Sequence, residues 1–388
     1  MFLLPCERIA YADPWTQPFA VRLALLGRGS RRVAYFYEQP DTSTFRYRVW
    51  NMIEALRVAA PDVGAAWFST GDLEHADAIL GACDALVVCR ARYSVGVARL
   101  IAAARARGRR VLFDVDDLVF DDRYVQLVLE TLDNPCGEAD MDHWFAYFGR
   151  LGAAMRLCEG VIATNEYLAA RATAFCGLPT AVVPNFLNAA QLEASRRALE
   201  AKRASGFARD GRVHLGYFSG TPTHNRDFQI VAGALARLMR RDRRLVLRLV
   251  GFLDPGEALA PFADRIERHP LQDFLNLQRL IGEVELNLVP LQDNAFTNCK
   301  SELKVFEAAA VGTLSVVSPS FTLRRAVADG ETGWLAPAQG WEEVLEGAIA
   351  SLDTAAYPTM TEAAHSAALT RHGPAAQAPA ILAAIFGG

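Results

Sequence analysis

The strongest constraint in this chain is a rhythm. Short apolar runs alternate with longer amphipathic stretches of helical period. A short apolar run is the mark of a strand buried on both faces, and the amphipathic stretch after it is the crossover helix that covers a parallel sheet. Residues 31–38, 84–89, 111–115, 160–164 and 180–184 read as strands, with helices over 45–58, 95–107 and 166–175. Residues 186–211 interrupt the rhythm with a polar, helix-patterned stretch followed by glycines. It then resumes, with strands over 213–218, 245–250, 285–290 and 314–318 and helices over 228–240, 274–281, 300–311, 323–328 and 341–352. The expected fold class is α/β, with two doubly wound domains facing across a deep cleft. The expected division is a first domain over 1–185, a linker over 186–211, a second domain over 212–360, and a helical tail over 361–388 that packs back on the first. Ligands of open parallel sheets sit beyond the carboxyl ends of the strands, so the cleft is where the site is expected.

Composition narrows the class. Of 388 residues, 52% are hydrophobic and 22% charged, which excludes a disordered or fibrous chain. The net charge of −4 excludes nucleic-acid binding driven by bulk positive charge. No apolar run reaches the roughly 18 residues that a membrane-spanning helix needs. The opening MFLLPCERIAYADP has neither the basic start nor the long apolar stretch of a secretory signal. The seven cysteines are scattered and form no C-x-x-C pair, so they read as reduced thiols in a cytoplasmic protein.

One count stands out. Of forty basic residues only three are lysine, Lys202, Lys300 and Lys304, and two of these fall within one five-residue stretch. Lysine is a compact point charge that arginine does not replace at every site. The segment around them is PLQDNAFTNCKSELKVFEAAAVG, from Pro290 to Gly312. It reads as a strand end, a polar loop, and a helix that starts near Lys300 and stops at Gly312, a C-cap glycine. Lys300, Lys304 and Glu307 then share one helical face, while Leu303, Phe306 and Ala310 share another that packs on the sheet. Free backbone N–H groups, the helix dipole, a lysine and Ser301 are what a phosphate or diphosphate needs. Glu307, two turns further in, is placed to accept hydrogen bonds from ribose hydroxyls. The plain alternative is a solvated helix face with an ordinary lysine–glutamate pattern.

The pattern N-x-K-S-x-x-K-x-x-E-A-x-x-x-G at Asn298 to Gly312, followed by V-V-S, resembles the donor-binding helix of GT-B-fold glycosyltransferases, and most of all the large fourth family of retaining, often surface-polysaccharide enzymes. That family carries a paired-glutamate motif, E-x7-E. Glu307 matches the second glutamate, which the resemblance makes the ribose ligand. The first position holds Cys299, and Lys300 and Ser301 are then expected to take the diphosphate. GYFSGTPTHNRDF, Gly216 to Phe228, resembles the donor-side loop, with Gly220 and Thr221 close to the diphosphate and His224 and Arg226 beside it. ADGETGWL, Ala328 to Leu335, matches the family's G-x-x-G-x-L turn, and residues 162–185 match its passage from first domain to hinge. The resemblance implies two Rossmann-like domains, a nucleotide-diphosphate-sugar donor, no metal and no cofactor.

Other residues are candidates for the acceptor side. Asp116 and Asp117 end the third strand within DVDD and, with Asp41 and His224, are the catalytic candidates; a donor-bound metal there is not expected. If the reaction inverts configuration, Asp41, Asp116 or Asp117 must act as base; if it retains, no protein base is obligatory. Arg46, Arg48, Arg90 and Arg92 follow the first two strands and are acceptor-binding candidates. The arginine-rich stretch 95–110 offers a peripheral contact with an anionic membrane, or a solvated face. Gly27-Arg28-Gly29 is not a dinucleotide loop, because a strand and not a helix follows.

The expected function is transfer of a sugar from a nucleotide-diphosphate donor to a glycan, lipid-linked or protein acceptor in surface polysaccharide or glycoconjugate synthesis. The expected setting is the cytoplasm or the inner face of the membrane. The rivals are a nucleotide-sugar epimerase of the same fold and an inactive nucleotide-sugar-binding scaffold.

Overall fold

The computed structural model describes residues 1–5, 7–131, 136–220 and 225–387. Two six-stranded parallel sheets form its frame. The first contains β1 (Arg31–Phe36), β2 (Val63–Phe68), β3 (Ala85–Cys89), β4 (Arg110–Val115), β5 (Gly160–Ala163) and β6 (Thr180–Val182), in the order β2-β1-β3-β4-β5-β6. The second contains β7 (Val213–Ser219), β8 (Leu245–Gly251), β9 (Ile266–His269), β10 (Leu286–Val289), β11 (Leu314–Val317) and β12 (Gly333–Leu335), in the order β12-β11-β10-β7-β8-β9. Every residue of β3, β5, β7, β10 and β11 is buried, because helices cover both faces. That is why these strands stand out in the sequence as mainly apolar runs, with buried polar exceptions such as His214, Asn287 and Ser315.

Chain order reverses between β1 and β3 in the first sheet and between β7 and β10 in the second. Each reversal leaves a crevice at the carboxyl ends of the strands, where α/β sheets bind ligands. The two crevices open on one cleft.

Three strands escape the sequence pattern. β2 is diluted by Gly64, Ala65 and Ala66; a Cβ at Gly64 would come within 2.0 Å of the Leu26 carbonyl oxygen, so close backbone packing selects glycine there. β9 (IERH) and β12 (GWL) are edge strands, where one flank is open and polar or short sequences are tolerated. Between the sheets runs a helix, Ala189–Ala204, opened by a capping box of Asn188 and Gln191. Two further helices follow the second sheet, Ala356–His372 and Pro374–Phe386. The second of these returns to the first domain, where Ile381, Ala384 and Ile385 join a core that includes Ala55 and Leu56.

The helix Val95–Ala106 buries Val97, Leu100, Ile101 and Ala104. Three arginines at and just beyond its end face acidic partners: Arg105 pairs with Glu159, Arg107 with Asp77 and Arg109 with Asp84. These pairs match a solvated face. No described helix is long and apolar enough to cross a membrane.

Candidate active site

The cleft encloses about 300 Å³ and is lined from both domains. From the second domain come Gly220 at the end of β7 and Lys300, Ser301, Lys304 and Glu307; from the first come Thr44, Arg46, Tyr47, Asp116 and Asp117. An apolar end is built by Phe218, Val250, Leu271, Phe274, Leu277 and Ile281.

The expected helix over 300–311 begins only at Leu303, and a separate turn precedes it. A single turn, Ala295–Asn298, is capped by Asn294, and the longer helix is Leu303–Ala310. Residues 299–302 lie between them because their carbonyls are satisfied sideways. The Asn165 amide donates to the Cys299 carbonyl at 2.8 Å, and the Thr322 hydroxyl donates to the Lys300 carbonyl at 2.7 Å. Lys300 and Ser301 therefore sit on a fixed loop ahead of the helix, not in its first turn. Gly312 is the left-handed C-cap residue, at φ +66°. Lys202 donates to its carbonyl at 2.7 Å and to the Thr313 hydroxyl at 2.9 Å. All three lysines of the chain thus serve one eight-residue helix. Lys202 complements the dipole at its end, whereas Lys304 in its first turn and Lys300 just before it oppose the dipole. The helix start thus carries two cations, with Glu302 as its N-cap and no acidic residue in its first turn.

Each side chain of this wall has a defined setting. The Lys300 ammonium is 3.5 Å from Asp117 and 4.6 Å from the centre of the Phe296 ring. Burial pushes the Lys304 ammonium down to about 8, against the pull of Asp227, and it lies 4.8 Å over the Tyr217 ring. The Ser301 hydroxyl accepts from the Asn185 amide at 2.9 Å. Glu307 is buried; its Oε1 accepts from the Tyr47 hydroxyl and from Gln191 Nε2 at 3.0 Å, and lies 3.6 Å from Arg46. Gly251 sits at φ +91°, and a Cβ there would strike the Ser219 carbonyl at 1.9 Å, so glycine keeps β7 and β8 together at the cleft mouth.

The first-domain candidates separate into two groups. Asp116, Asp117 and Arg46 line the cleft. Burial works against the charge of Asp116, but Arg90 at 2.8 Å and the Thr44 hydroxyl at 2.8 Å hold its carboxyl below the ordinary range. Arg46 is stacked between Tyr47 and Phe274, at 3.9 and 4.9 Å, and its buried Nη1 has no hydrogen-bond partner.

The others do not reach the cleft as acceptor or catalytic groups. Arg48 is fully buried; its guanidinium forks onto Asp114 at 2.8 and 2.9 Å and donates to the Val183 carbonyl and to Asn185. It is a structural clamp. Arg92 is bidentate on Glu38. Arg90 is occupied by Asp116, Thr44 and Tyr147. Asp41 caps the first-domain helix, accepting from the Ser43 and Phe45 amides and from the Tyr37 hydroxyl. Asn298 donates to Asp293 and to the Asn294 carbonyl and accepts from the Phe321 amide, which makes it a loop brace. Arg226 is exposed and is not among the cleft-lining residues. Thr221 and His224 lie outside the described residues.

Sequence reasoning missed Tyr47, Gln191, Asn185 and Thr44. Tyr47 was visible only as the residue between two arginines, and Gln191 only as the glutamine of a capping box; nothing local marks either as reaching Glu307.

Residues 212–354 match the family model described as glycosyl transferases group 1. No curated protein sequence matches. Among solved structures, the chain is similar to Anabaena HepE in complex with UDP, at 13% identity and a TM-score of 0.60, covering 90% of this chain and 98% of that one. It is similar to a glycosyltransferase from Rickettsia africae, at 12% identity and a TM-score of 0.59, covering 91% and 96%. It is also similar to sucrose-phosphate synthase from Thermosynechococcus elongatus, at 14% identity and a TM-score of 0.58, covering 89% and 96%. The two opposed doubly wound sheets are therefore the GT-B fold, with the group 1 glycosyl transferase match lying over its second domain.

Proposed function

We propose that the chain transfers a sugar from a nucleoside-diphosphate donor to a hydroxyl of a glycan or lipid-linked acceptor, in polysaccharide or glycoconjugate synthesis. The observation that carries this reading is the gathering of Gly220, Lys300, Ser301, Lys304 and Glu307 on one wall of a cleft whose far end is apolar. That order suits a nucleotide: base against Leu271, Phe274 and Leu277, ribose on Glu307, diphosphate between Lys304, Lys300, Ser301 and the free amides at the head of helix Leu303–Ala310. UDP in the complex of the structural neighbour HepE supports such a donor.

In the reaction the bond from the sugar C1 to the diphosphate breaks, and a bond from C1 to the acceptor oxygen forms. Charge develops on the leaving diphosphate, where two lysines and fixed backbone donors stabilise it without a metal ion. The acceptor faces the polar first-domain wall of Thr42, Ser43, Asp116 and Asp117. Both oxygens of Asp116 are already bound, and it is held ionised, so it orients better than it accepts a proton. The reading favoured is retention of configuration, with the leaving phosphate oxygen taking the acceptor proton; Asp117, beside Lys300 at 3.5 Å, is the cleft carboxylate among the described residues that remains for an inverting base.

The test is nucleoside-diphosphate release from UDP-, GDP- and ADP-sugars by pure protein, with glycan acceptors and with a chelator present. Turnover that survives chelation and is lost in Lys300→Ala is expected. Absence of both binding and turnover with every donor would overturn the proposal, and an inverted product anomer would move the base to Asp117.

A further inference from the structure

We propose that the site holds the donor ribose through a single hydroxyl, because one of the two Glu307 oxygens is already saturated from within the chain. The inference rests on the reading of Glu307 as the ribose ligand. Each carboxylate oxygen has about two lone-pair directions, but these diverge too widely for the adjacent hydroxyls of a vicinal diol to meet both on one oxygen, so a two-hydroxyl grip needs one hydroxyl on each oxygen. Here Oε1 of Glu307 accepts from the Tyr47 hydroxyl and from Gln191 Nε2 at 3.0 Å, with the Arg46 guanidinium 3.6 Å away. Both lone-pair directions of Oε1 are thus used.

Neither donor is free to leave. Tyr47 is buried, and its ring sits edge-on against Phe306 at 6.4 Å. Its phenol is pushed further above its ordinary range by burial, so it stays protonated and stays a donor. Gln191 is fully buried, and its amide orientation is fixed from the other side: its Oε1 accepts from the Asn188 amide at 3.4 Å, which leaves Nε2 to face Glu307. Oε2 of Glu307, by contrast, has no hydrogen-bond partner among the described residues and is not one of the buried unpartnered atoms, while its residue lines the cleft. It is the oxygen on offer. One ribose hydroxyl takes it, and Glu307 does not read the other. Tyr47 and Gln191 are positioning residues that set this selectivity, and a donor lacking the unread hydroxyl belongs to the substrate class.

The test starts from the wild-type protein and UDP, GDP, ADP and CDP. The diphosphate that most raises the melting temperature is then compared with its 2′-deoxy and 3′-deoxy forms by titration calorimetry. One analogue is expected to bind within about twofold of the parent, and the other roughly tenfold to a hundredfold more weakly, as loss of a hydrogen bond to a charged acceptor requires. In Tyr47→Phe, or in Gln191→Leu if that variant does not fold, a lone pair on Oε1 is freed and the spared analogue becomes weaker than the parent. Equal weakening of both analogues in wild type would mean a two-oxygen grip and would overturn the inference while leaving the ribose reading intact. Parent binding that Glu307→Ala leaves unchanged would remove the ribose reading itself, and the inference with it.

Discussion

Lys304 and Arg48 look alike in the sequence, each a basic residue near a helix start, yet they have opposite settings. Burial pushes the Lys304 ammonium down to about 8. Below that pH it is charged and attracts the diphosphate; above it the charge and the attraction go. Affinity for the nucleoside diphosphate is therefore expected to be steady near neutrality and to weaken as pH rises through about 8. Bound diphosphate favours the charged form, so the midpoint lies higher in the complex than in the free protein. Lys304→Arg keeps its charge and should flatten the profile; a wild-type profile that is already flat well above that value would take Lys304 out of the diphosphate site. Arg48 instead faces Asp114 inside the first domain with no exposure at all. Arg48→Met strands a buried carboxylate and is expected to cost about 3–5 kcal/mol in urea unfolding, most of it recovered in the double variant Arg48→Met/Asp114→Leu. A loss that the second substitution does not relieve would show that the Val183 and Asn185 contacts carry the cost. The rarity of lysine marks Lys304 in the sequence, but nothing local marks Arg48 as a buried clamp, because what decides its setting is a partner 66 positions away in the chain.

At the scale of elements, the strands with both faces covered were legible because burial on both faces leaves mostly apolar residues to use. The break at 299–302 was not. The stretch from Lys300 to Val311 has helical period throughout, and its residues are good helix formers. What stops the helix early is tertiary: Asn165 and Thr322 satisfy the Cys299 and Lys300 carbonyls that a continuous helix would have used. The Lys300–Ser301 loop is therefore held by side chains from both domains. Thr322→Val removes one of these holds without changing the shape of the side chain. The half-buried Lys300 carbonyl then loses this bond, which costs about 1 kcal/mol of stability. Because Lys300 is no longer fixed, nucleoside-diphosphate affinity is expected to fall severalfold in the folded variant. Unchanged affinity together with reduced stability would assign the loop a structural part alone.

At the scale of the whole molecule, the two sheets are joined by more than the stretch between them. Tyr47 reaches Glu307, Asp117 reaches Lys300, and Asn185 reaches Ser301, so three pairs bridge the cleft itself. A fourth link lies away from it. The helix Pro374–Phe386 follows the second sheet in the chain but seals the first domain, with Ile381 and Ile385 buried beside Leu56. Arg110 then holds the Gly387 carbonyl at 2.6 Å, and Arg31 lies 5.4 Å over the Phe386 ring. The core of the first domain is thus incomplete until the far end of the described chain has docked, which couples its stability to residues more than 270 positions downstream. Ile385→Ala tests this without touching the cleft. A buried isoleucine cut to alanine leaves a cavity, and the expected loss is about 2–5 kcal/mol. The loss should be read with a first-domain reporter such as the fluorescence of Trp50 or Trp67, both in that core. A loss below about 1 kcal/mol would mean that the site collapses around the missing atoms or that the helix is undocked in solution. Hydrogen exchange of the amides in Pro374–Phe386 separates the two, slow for a docked helix and fast for an undocked one.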